Sequence, residues 1–382
     1  MSKDLVVLTL IHESRRIIVI RLHVVQAEYG DCFILESKSG KHSVNVLIDG
    51  GPYQTFEKHL KPALQKLPLN RKLDLMVLSH IDNDHIIGLL DLLEEIKNQR
   101  ESGTNELVKV ERMWHNSFAD LLRFRDEPVK LFRYYLSIQN KAMSSEIANS
   151  LTMKGFQQGT DLAKLAKLLK IPINPGFDKL IVINDKITSV KLNDITLHLL
   201  GPLKKNVDKL QNEWKKWSKK KTEESFAGLL QVLDKSIPNL ASITFLVEIN
   251  NRKLLFTGDG IGDDIVKVLS QNKMLDNNDK YHVDILKVPH HGSDRNASIQ
   301  FFDTIYADYY ILSANGRDDN PSPKTLKWII ESNRNFKNTK KIIMTNMTPG
   351  IRKVLQKYDQ KKFNYEGVFL GKNENFITIN IQ

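Results

Sequence analysis

Cysteine is nearly absent: Cys32 is the only one in 382 residues. That excludes an intramolecular disulfide framework and any thiolate-rich zinc site. Long apolar runs are missing too. The longest near the start, Leu5 to Ile11, is too short to span a bilayer and runs into His12-Glu13-Ser14-Arg15-Arg16. With Thr9 inside it and no small-residue cleavage site, it does not read as a signal peptide, so a soluble, cytoplasmic protein is expected. The 19 glycines and 12 prolines nowhere concentrate into a linker, and no repeat or low-complexity tract stands out. Acidic residues are in deficit, 45 against 56 Lys and Arg, for a net charge of +11. The excess favours an anionic partner, whether nucleic acid, a phosphorylated small molecule or an acidic surface. At 41% hydrophobic and 26% charged, the chain can bury a substantial core, and bulk disorder is excluded.

Strand patterns open the chain. Arg16 to Val25, Cys32 to Glu36 and Val44 to Ile48 are rich in β-branched and apolar residues, with the turn Ser39-Gly40-Lys41 between the last two. Leu73 to Ser79 reads as a short buried strand, Ile86 to Asn98 as a helix, and Val108 to Trp114 as a further strand. From about 116 to 238 the character changes. Helices are expected over Phe118–Ile138, Ser144–Met153 and Asp161–Leu169, then a strand over Ile195–Leu200. A basic stretch, Trp214 to Lys221, interleaves two tryptophans with lysines. It could stack bases and neutralise phosphates; its plainer reading is a solvated helix with both tryptophans on the core. A hairpin follows, Ala241–Ile249 and Lys253–Thr257, turning at Asn250-Asn251. Strands Val283–Val288, Tyr309–Ser313 and Lys341–Thr345 then alternate with helices beginning near Ile265, Ser298 and Lys324. The pattern predicts one α/β domain over 1–382, with halves of about 1–115 and 239–382 around an elaborated insertion of about 116–238.

The informative stretch is Ser79-His80-Ile81-Asp82-Asn83-Asp84-His85, at the end of a buried strand and just ahead of a helix. Four metal-capable side chains fall within six residues, in a loop that can turn them toward one point. Imidazole with carboxylate suits zinc, manganese or iron. The bland alternative is an acidic turn whose Asp82 or Asp84 caps the helix. Two later segments weigh against it. Phe256-Thr257-Gly258-Asp259-Gly260 sets a carboxylate at a strand tip, and Lys287-Val288-Pro289-His290-His291-Gly292-Ser293 ends another strand in paired histidines. If those strands lie side by side, their tips share a site.

His80-x-Asp82-x-Asp84-His85, then Gly258-Asp259, then His290-His291-Gly292-Ser293 resembles the metallo-β-lactamase-fold hydrolases. More narrowly it is similar to the branch containing the hydrolase domain of the ComEC-type DNA-uptake proteins. Tyr29 to Leu35 and Leu47-Ile48-Asp49-Gly50-Gly51 look like that branch's opening strands, and Pro238 to Ser242 like the segment before its second half. The resemblance implies a four-layer αββα sandwich holding two divalent metal ions, Zn or Mn. It assigns His80 and Asp82 to the first metal, Asp84 and His85 to the second, and Asp259 to a bridge. His291 completes the second site, which leaves His290 to contact substrate or shuttle a proton. His115, at a strand end, is the remaining candidate ligand; its alternative is a partly exposed strand-end histidine. Asp82 stands where the wider superfamily has histidine, and Asn320-Pro321 where relatives often have His-Pro, so a general acid is not evident.

Two metals about 3.5–4 Å apart hold a bridging hydroxide, which can attack a phosphodiester, an ester, a lactone or an amide. Phosphodiester cleavage leads, on the net charge, on the branch's link to DNA processing, and on Lys287, placed to bind a phosphate. Asp84, His290 and Lys287 are the expected catalytic groups. Hydrolysis of a small ester, lactone or peptide is the alternative. A non-hydrolytic subunit, or a partner-controlled member of a bacterial antiviral defence module, is the remaining reading. Cys32, Asp31 and Asp49 read respectively as a small buried residue and as loop-shaping acids at the rim.

Overall fold

The computed structural model describes residues 18–117, 121, 151–220, 241–333 and 336–381. Apart from Leu121, the helix expected over 118–138 lies outside them, as do residues 144–150 of the next and Lys221 to Leu240.

Three strands begin the described chain, β1 (Ile18–Val25), β2 (Phe33–Ser39) and β3 (His42–Ile48), paired antiparallel in sequence order. A π-turn over Phe56–Leu60 runs into α1 (Lys61–Lys66). The strand expected over Leu73–Ser79 is instead two pieces, β4 (Lys72–Leu73) and β5 (Leu75–Val77). At Asp74, whose carboxylate accepts the Asn45 N–H at 3.0 Å, the chain passes from a two-stranded side sheet to the main one. Then comes α2 (Asn83–Glu101). Val108–Trp114 splits likewise into β6 (Lys109–Val110) and β7 (Met113–Trp114). The middle region contributes α3 (Leu151–Leu168), β8 (Thr188–Leu192), β9 (Ile195–Gly201) and α4 (Lys204–Lys220), the last covering most of the basic stretch.

The expected hairpin is present as β10 (Thr244–Ile249) and β11 (Arg252–Phe256). Asn250 and Asn251 both adopt positive φ, as the twist of a two-residue hairpin turn demands. Strand and helix then alternate: α5 (Gly262–Gln271), β12 (Tyr281–Lys287), α6 (Ile299–Thr304), β13 (Ile305–Leu312), α7 (Pro323–Glu331), β14 (Lys340–Met344), α8 (Pro349–Lys357) and β15 (Tyr365–Phe369). The last strand, β16 (Phe376–Ile381), returns to pair antiparallel with β1.

These strands make a six-stranded sheet, β16-β1-β2-β3-β5-β7, and an eight-stranded one, β15-β14-β13-β12-β11-β10-β9-β8. The first-sheet strands bury apolar residues on both faces, and the two sets go to different cores. Ile20, Leu22, Val24, Phe33, Leu35, Val44, Val46 and Ile48 join the cluster shared with the second sheet, whereas Val25, Ile34, Leu47 and Met76 join the one under α1, α2 and α3. The second face also carries His23, Asn45 and the Arg21–Glu36 ion pair at 3.1 Å, which interrupt its apolar runs. Phe33 meets Phe256 across the sheets at a ring separation of 6.0 Å, and Phe256 stacks on Phe245 at 5.4 Å. Phe301, Leu326, Ile329 and Ile351, from α6, α7 and α8, cover the far side of the second sheet. Helices therefore flank two stacked sheets, a mixed α/β architecture of the metallo-β-lactamase kind. Strands β8 and β9 lie within the expected insertion, yet they extend the second sheet through pairing of β9 with β10.

Close backbone approaches set the loops near α2. A Cβ on Gly30 would lie 2.0 Å from the Asp84 carbonyl oxygen, and one on Gly88 would lie 2.0 Å from that of Gly50. Only glycine permits the β1–β2 loop and the end of β3 to rest directly on the first turns of α2.

Candidate metal centre

Helix α2 begins earlier than its apolar spacing predicts, so Asp84 and His85 sit in its first turn rather than in the loop. Asp82 occupies the N-cap position, but its side chain makes no capping hydrogen bond. It faces His80 instead, at 3.6 Å from Nε2. The capping explanation of this acidic stretch therefore fails on geometry.

The tips of β5, β11 and β12 come together, and Asp259 is the meeting point. Its Oδ1 lies 3.4 Å from His85 Nε2 and 3.6 Å from His291 Nε2. Its Oδ2 lies 3.5 Å from His80 Nε2 and 3.4 Å from His290 Nε2. Asp84 Oδ2 closes on His291 Nε2 at 3.2 Å, and the Nε2 atoms of His85 and His291 are themselves 3.2 Å apart. His290 and His291 reach this arrangement through consecutive left-handed residues, φ 47° and 54°. Such backbone costs about 1–3 kcal/mol per residue and concentrates at functional sites.

All four histidines are held from behind through Nδ1. The His85 Nδ1–H donates to Asp49 Oδ2 at 2.9 Å. Asp49 also accepts the Ser79 hydroxyl at 2.8 Å, so the Ser79 oxygen is left to accept from His80 Nδ1 at 3.1 Å. His291 Nδ1 donates to the Ser313 carbonyl at 3.1 Å and lies 3.2 Å from Asp31 Oδ1. His290 Nδ1 donates to Asn296 Oδ1 at 2.7 Å, and the Asn296 amide is oriented by donating to the Asp259 carbonyl at 2.8 Å. Every Nε2 is thereby left facing the Asp259 carboxylate, the direction a coordinating nitrogen would need. This is how partners behind a ligand fix its tautomer and aim.

The residues fit a metal. Ligand bonds of about 2.0–2.1 Å at tetrahedral angles put neighbouring donor atoms about 3.3 Å apart; the separations above run from 3.2 to 3.6 Å. His80 Nε2 and Asp259 Oδ1 are buried with no hydrogen-bond partner among the described residues, as atoms reserved for a cation would be. Ligand atoms of Asp31, His85, Asp259 and His291 also lie within 4.8 Å of one another. Asp31 nevertheless faces Nδ1 of both histidines and forms an ion pair with Lys287. It stands behind the donors, and Asp84 takes the forward position.

The electrostatics agree. Burial by itself would raise the Asp259 and Asp84 carboxyls, but the surrounding histidines hold both well below the ordinary carboxylate range. Burial would lower the His85 and His291 imidazoles. Against it, Asp259, Asp49 and Asp84 push His85 well up, and Asp31 and Asp259 push His291 to about 10. Carboxylates thus outweigh cations here, a balance that a bound cation would redress.

Lys287 was assigned a substrate phosphate, but its side chain is 1% exposed, paired to the fully buried Asp31 and donating to the Gly258 carbonyl at 2.8 Å. Buried and engaged on both counts, it holds the site from below. His290 was to stand free for substrate, but its Nε2 shares the Asp259 oxygen with His80. His115 is buried, not partly exposed, and its Nε2 meets the Gly159 carbonyl at 3.1 Å. Sequence reasoning missed the contribution of Asp31 and Asp49, read as rim acids, and of Asn296 and Ser313. A buried position just outside a strand end and beside glycine was the available signal for the two acids; nothing local marked the others.

Residues 26–137 match the Metallo-beta-lactamase superfamily. The match is to the superfamily as a whole and includes His80, Asp82, Asp84, His85 and His115, whereas Asp259 and His291 fall beyond it. Members are generally hydrolases, and with the buried Asp/His group the class indicated is a metal-dependent hydrolase. No curated protein matches the chain significantly. Among solved structures, the metallo-beta-lactamase fold protein YhfI from Bacillus subtilis is similar at 12% identity and a TM-score of 0.40, covering 94% of this chain and 99% of that one. A protein of unknown function from Enterococcus faecalis V583 aligns at 10% identity and a TM-score of 0.30, covering 92% and 88%. Among the described residues no helix is long and apolar enough to cross a membrane.

Proposed function

We propose that the protein is a phosphodiesterase acting on polynucleotides, with two divalent ions, Zn or Mn, at the Asp259 site. The observation that carries the reading is the division of ligands by the two Asp259 oxygens: Asp84, His85 and His291 on the Oδ1 side, and His80, Asp82 and His290 on the Oδ2 side. Each set offers three side chains plus the shared carboxylate, a donor count that suits a metal with a position left for water or substrate. Bound there, such ions supply an activated water near neutral pH and offset charge that develops on the attacked group.

The chain's own residues fix the frame. Asp259 is held through its main chain, its N–H by the Ser242 hydroxyl at 3.2 Å and its carbonyl by Asn296. Asp49 and Asp31 orient His85 and His291, and Lys287 offsets the charge of Asp31. Asp82, His290 and Asp84 are the ligands with exposed side-chain area, 36%, 28% and 23%, so substrate approaches across them. The net charge of +11 favours a polyanion over a neutral ester.

The test uses purified protein with Zn or Mn on labelled single- and double-stranded DNA and on RNA, with bis(p-nitrophenyl) phosphate as a small probe. Polymer cleavage that is lost on chelation and in Asp84→Ala is the expected result. Turnover of the probe alone would transfer the reading to a small phosphodiester. Inactivity on every phosphodiester, with metal shown to be bound, would reject it in favour of another ester or amide.

A further inference from the structure

We propose that Arg317 and Tyr29 form an anion subsite at the mouth of the metal centre, for the phosphate next to the scissile one. The proposal rests on the polynucleotide reading above. The Arg317 guanidinium carbon lies 4.1 Å above the centre of the Tyr29 ring. Its Nε faces Asp318 Oδ2 at 3.7 Å, and no partner occupies its Nη atoms among the described residues. An arginine laid on an aromatic face keeps its charge, has already lost side-chain freedom, and presents a planar fork of donors matched to phosphate oxygens. Its side chain is 44% exposed.

Both members belong to the frame of the metal centre. Tyr29 precedes Gly30, which rests against the Asp84 backbone and whose carbonyl accepts the Ser313 hydroxyl. Arg317 follows four residues after Ser313, whose own carbonyl receives His291 Nδ1. The two loops are tied by Asn315 Nδ2 donating to Glu28 Oε2 at 3.1 Å. Asn346 adds a second tie, donating to the Ala314 carbonyl at 3.0 Å and the Glu28 carbonyl at 3.3 Å while accepting from Gln26 Nε2 at 3.0 Å. The fork is therefore fixed relative to Asp84 and His291. Arg317 pairs with none of the metal-centre carboxylates, and its loop adjoins the segment that leads through Tyr29 and Gly30 to Asp31, beside the ligand set and not within it. That position suits the next phosphate along a chain, a group that a substrate with a single phosphate does not have.

The experiment compares a DNA oligonucleotide with bis(p-nitrophenyl) phosphate as substrates of the metal-loaded full chain, as wild type, Arg317→Gln, Tyr29→Leu and Tyr29→Phe. The expected result is a rise of about tenfold in the ratio of oligonucleotide KM to probe KM in Arg317→Gln, the scale of one lost charge-assisted contact. Tyr29→Leu raises the ratio less, and Tyr29→Phe, which keeps the ring, retains it. An unchanged ratio in Arg317→Gln overturns the subsite while leaving the phosphodiesterase reading intact. If wild type cleaves neither substrate, that reading fails, and the subsite is judged by anisotropy of a labelled oligonucleotide. Weaker binding in Arg317→Gln supports it, and equal binding overturns it.

Discussion

Lys287→Met separates a supporting role for this lysine from a substrate-binding one. The side chain is buried, pairs with Asp31, lies 3.7 Å from Asp259 Oδ1 and donates to the Gly258 carbonyl. Methionine fills similar space but leaves Asp31 without its main counter-charge. Stranding one member of a buried ion pair costs about 3–5 kcal/mol. In a chain of this size each kcal/mol moves Tm by about 2 °C, so thermal unfolding of the metal-free protein should begin roughly 6–10 °C lower. The loss should depend on pH with a definite sign. In the wild type, burial would raise the Asp31 carboxyl, but Lys287 and His291 hold it below its ordinary value. Its contribution to stability is therefore present above the unfolded carboxylate pKa and lost as pH falls through the folded one. Without Lys287 the burial term gains ground and protonation comes more easily, so the deficit should be larger at pH 8 than at pH 5. The assay is calorimetry or fluorescence-monitored unfolding of wild type, Lys287→Met, Asp31→Asn and the double variant. The double variant should recover part of the deficit, because no buried charge is then stranded. If Lys287→Met unfolds like wild type, or if the two losses simply add, the pair does not support the site as argued.

Metal uptake should release protons, since His85 is held well above its ordinary range and His291 near 10 until a cation replaces their protons; competition titration with a chromophoric chelator should show affinity rising from pH 6 to 9, and a flat profile would contradict the charge argument. In the metal-free protein the raised His291 contributes stability fully below about pH 6.5 that is lost as pH rises through about 10, so apo Tm should fall across that interval while the metal-loaded form resists. Asp49→Ala removes the acceptor of His85 Nδ1, of the Ser79 hydroxyl and of the Ser79 N–H at once; metal affinity should drop about 10–100-fold, and an unchanged affinity would show that His85 is aimed by other contacts. Gly88→Ala sets a methyl 2.0 Å from the Gly50 carbonyl oxygen, so α2 must move away from the end of β3; lower Tm together with weaker metal binding is expected, and wild-type values for both would show the contact to be yielding.

The halves of the fold were legible to different degrees. Strands β2, β3, β10, β12, β13 and β14 announce themselves because both faces are buried and their apolar runs are bounded by turns. The Asn250-Asn251 hairpin is local chemistry and was readable at single-residue precision. Strand β8 was not: Thr188–Leu192 is largely exposed, an edge whose pairing with β9 supplies what its composition does not. The closing strand β16 was missed for a related reason. Four of its six residues are half-buried or exposed, and its partner is β1, more than three hundred residues away. The splits at Asp74 and before Met113 likewise answer to hydrogen bonds made by another part of the chain.

The site divides along the same line. Its forward-facing candidate residues were legible because metal binding would demand particular side chains at short spacing, and His80, Asp82, Asp84 and His85 lie within six residues. Which way each ligand points is a separate matter, decided by groups that adjoin it only in space. Asp49 reaches His85 from 36 positions away, and the Ser313 carbonyl reaches His291 from 22. A backbone carbonyl carries no signature in sequence at all. His290 shows the consequence. Its identity as a histidine beside His291 leaves a free proton carrier and a ligand equally open, and the choice falls to Asn296, which accepts from one ring nitrogen and so commits the other to Asp259. Reading Asn296 from the chain would have required knowing that α6 begins just beyond it and that its amide could touch the Asp259 carbonyl, both facts of the folded molecule.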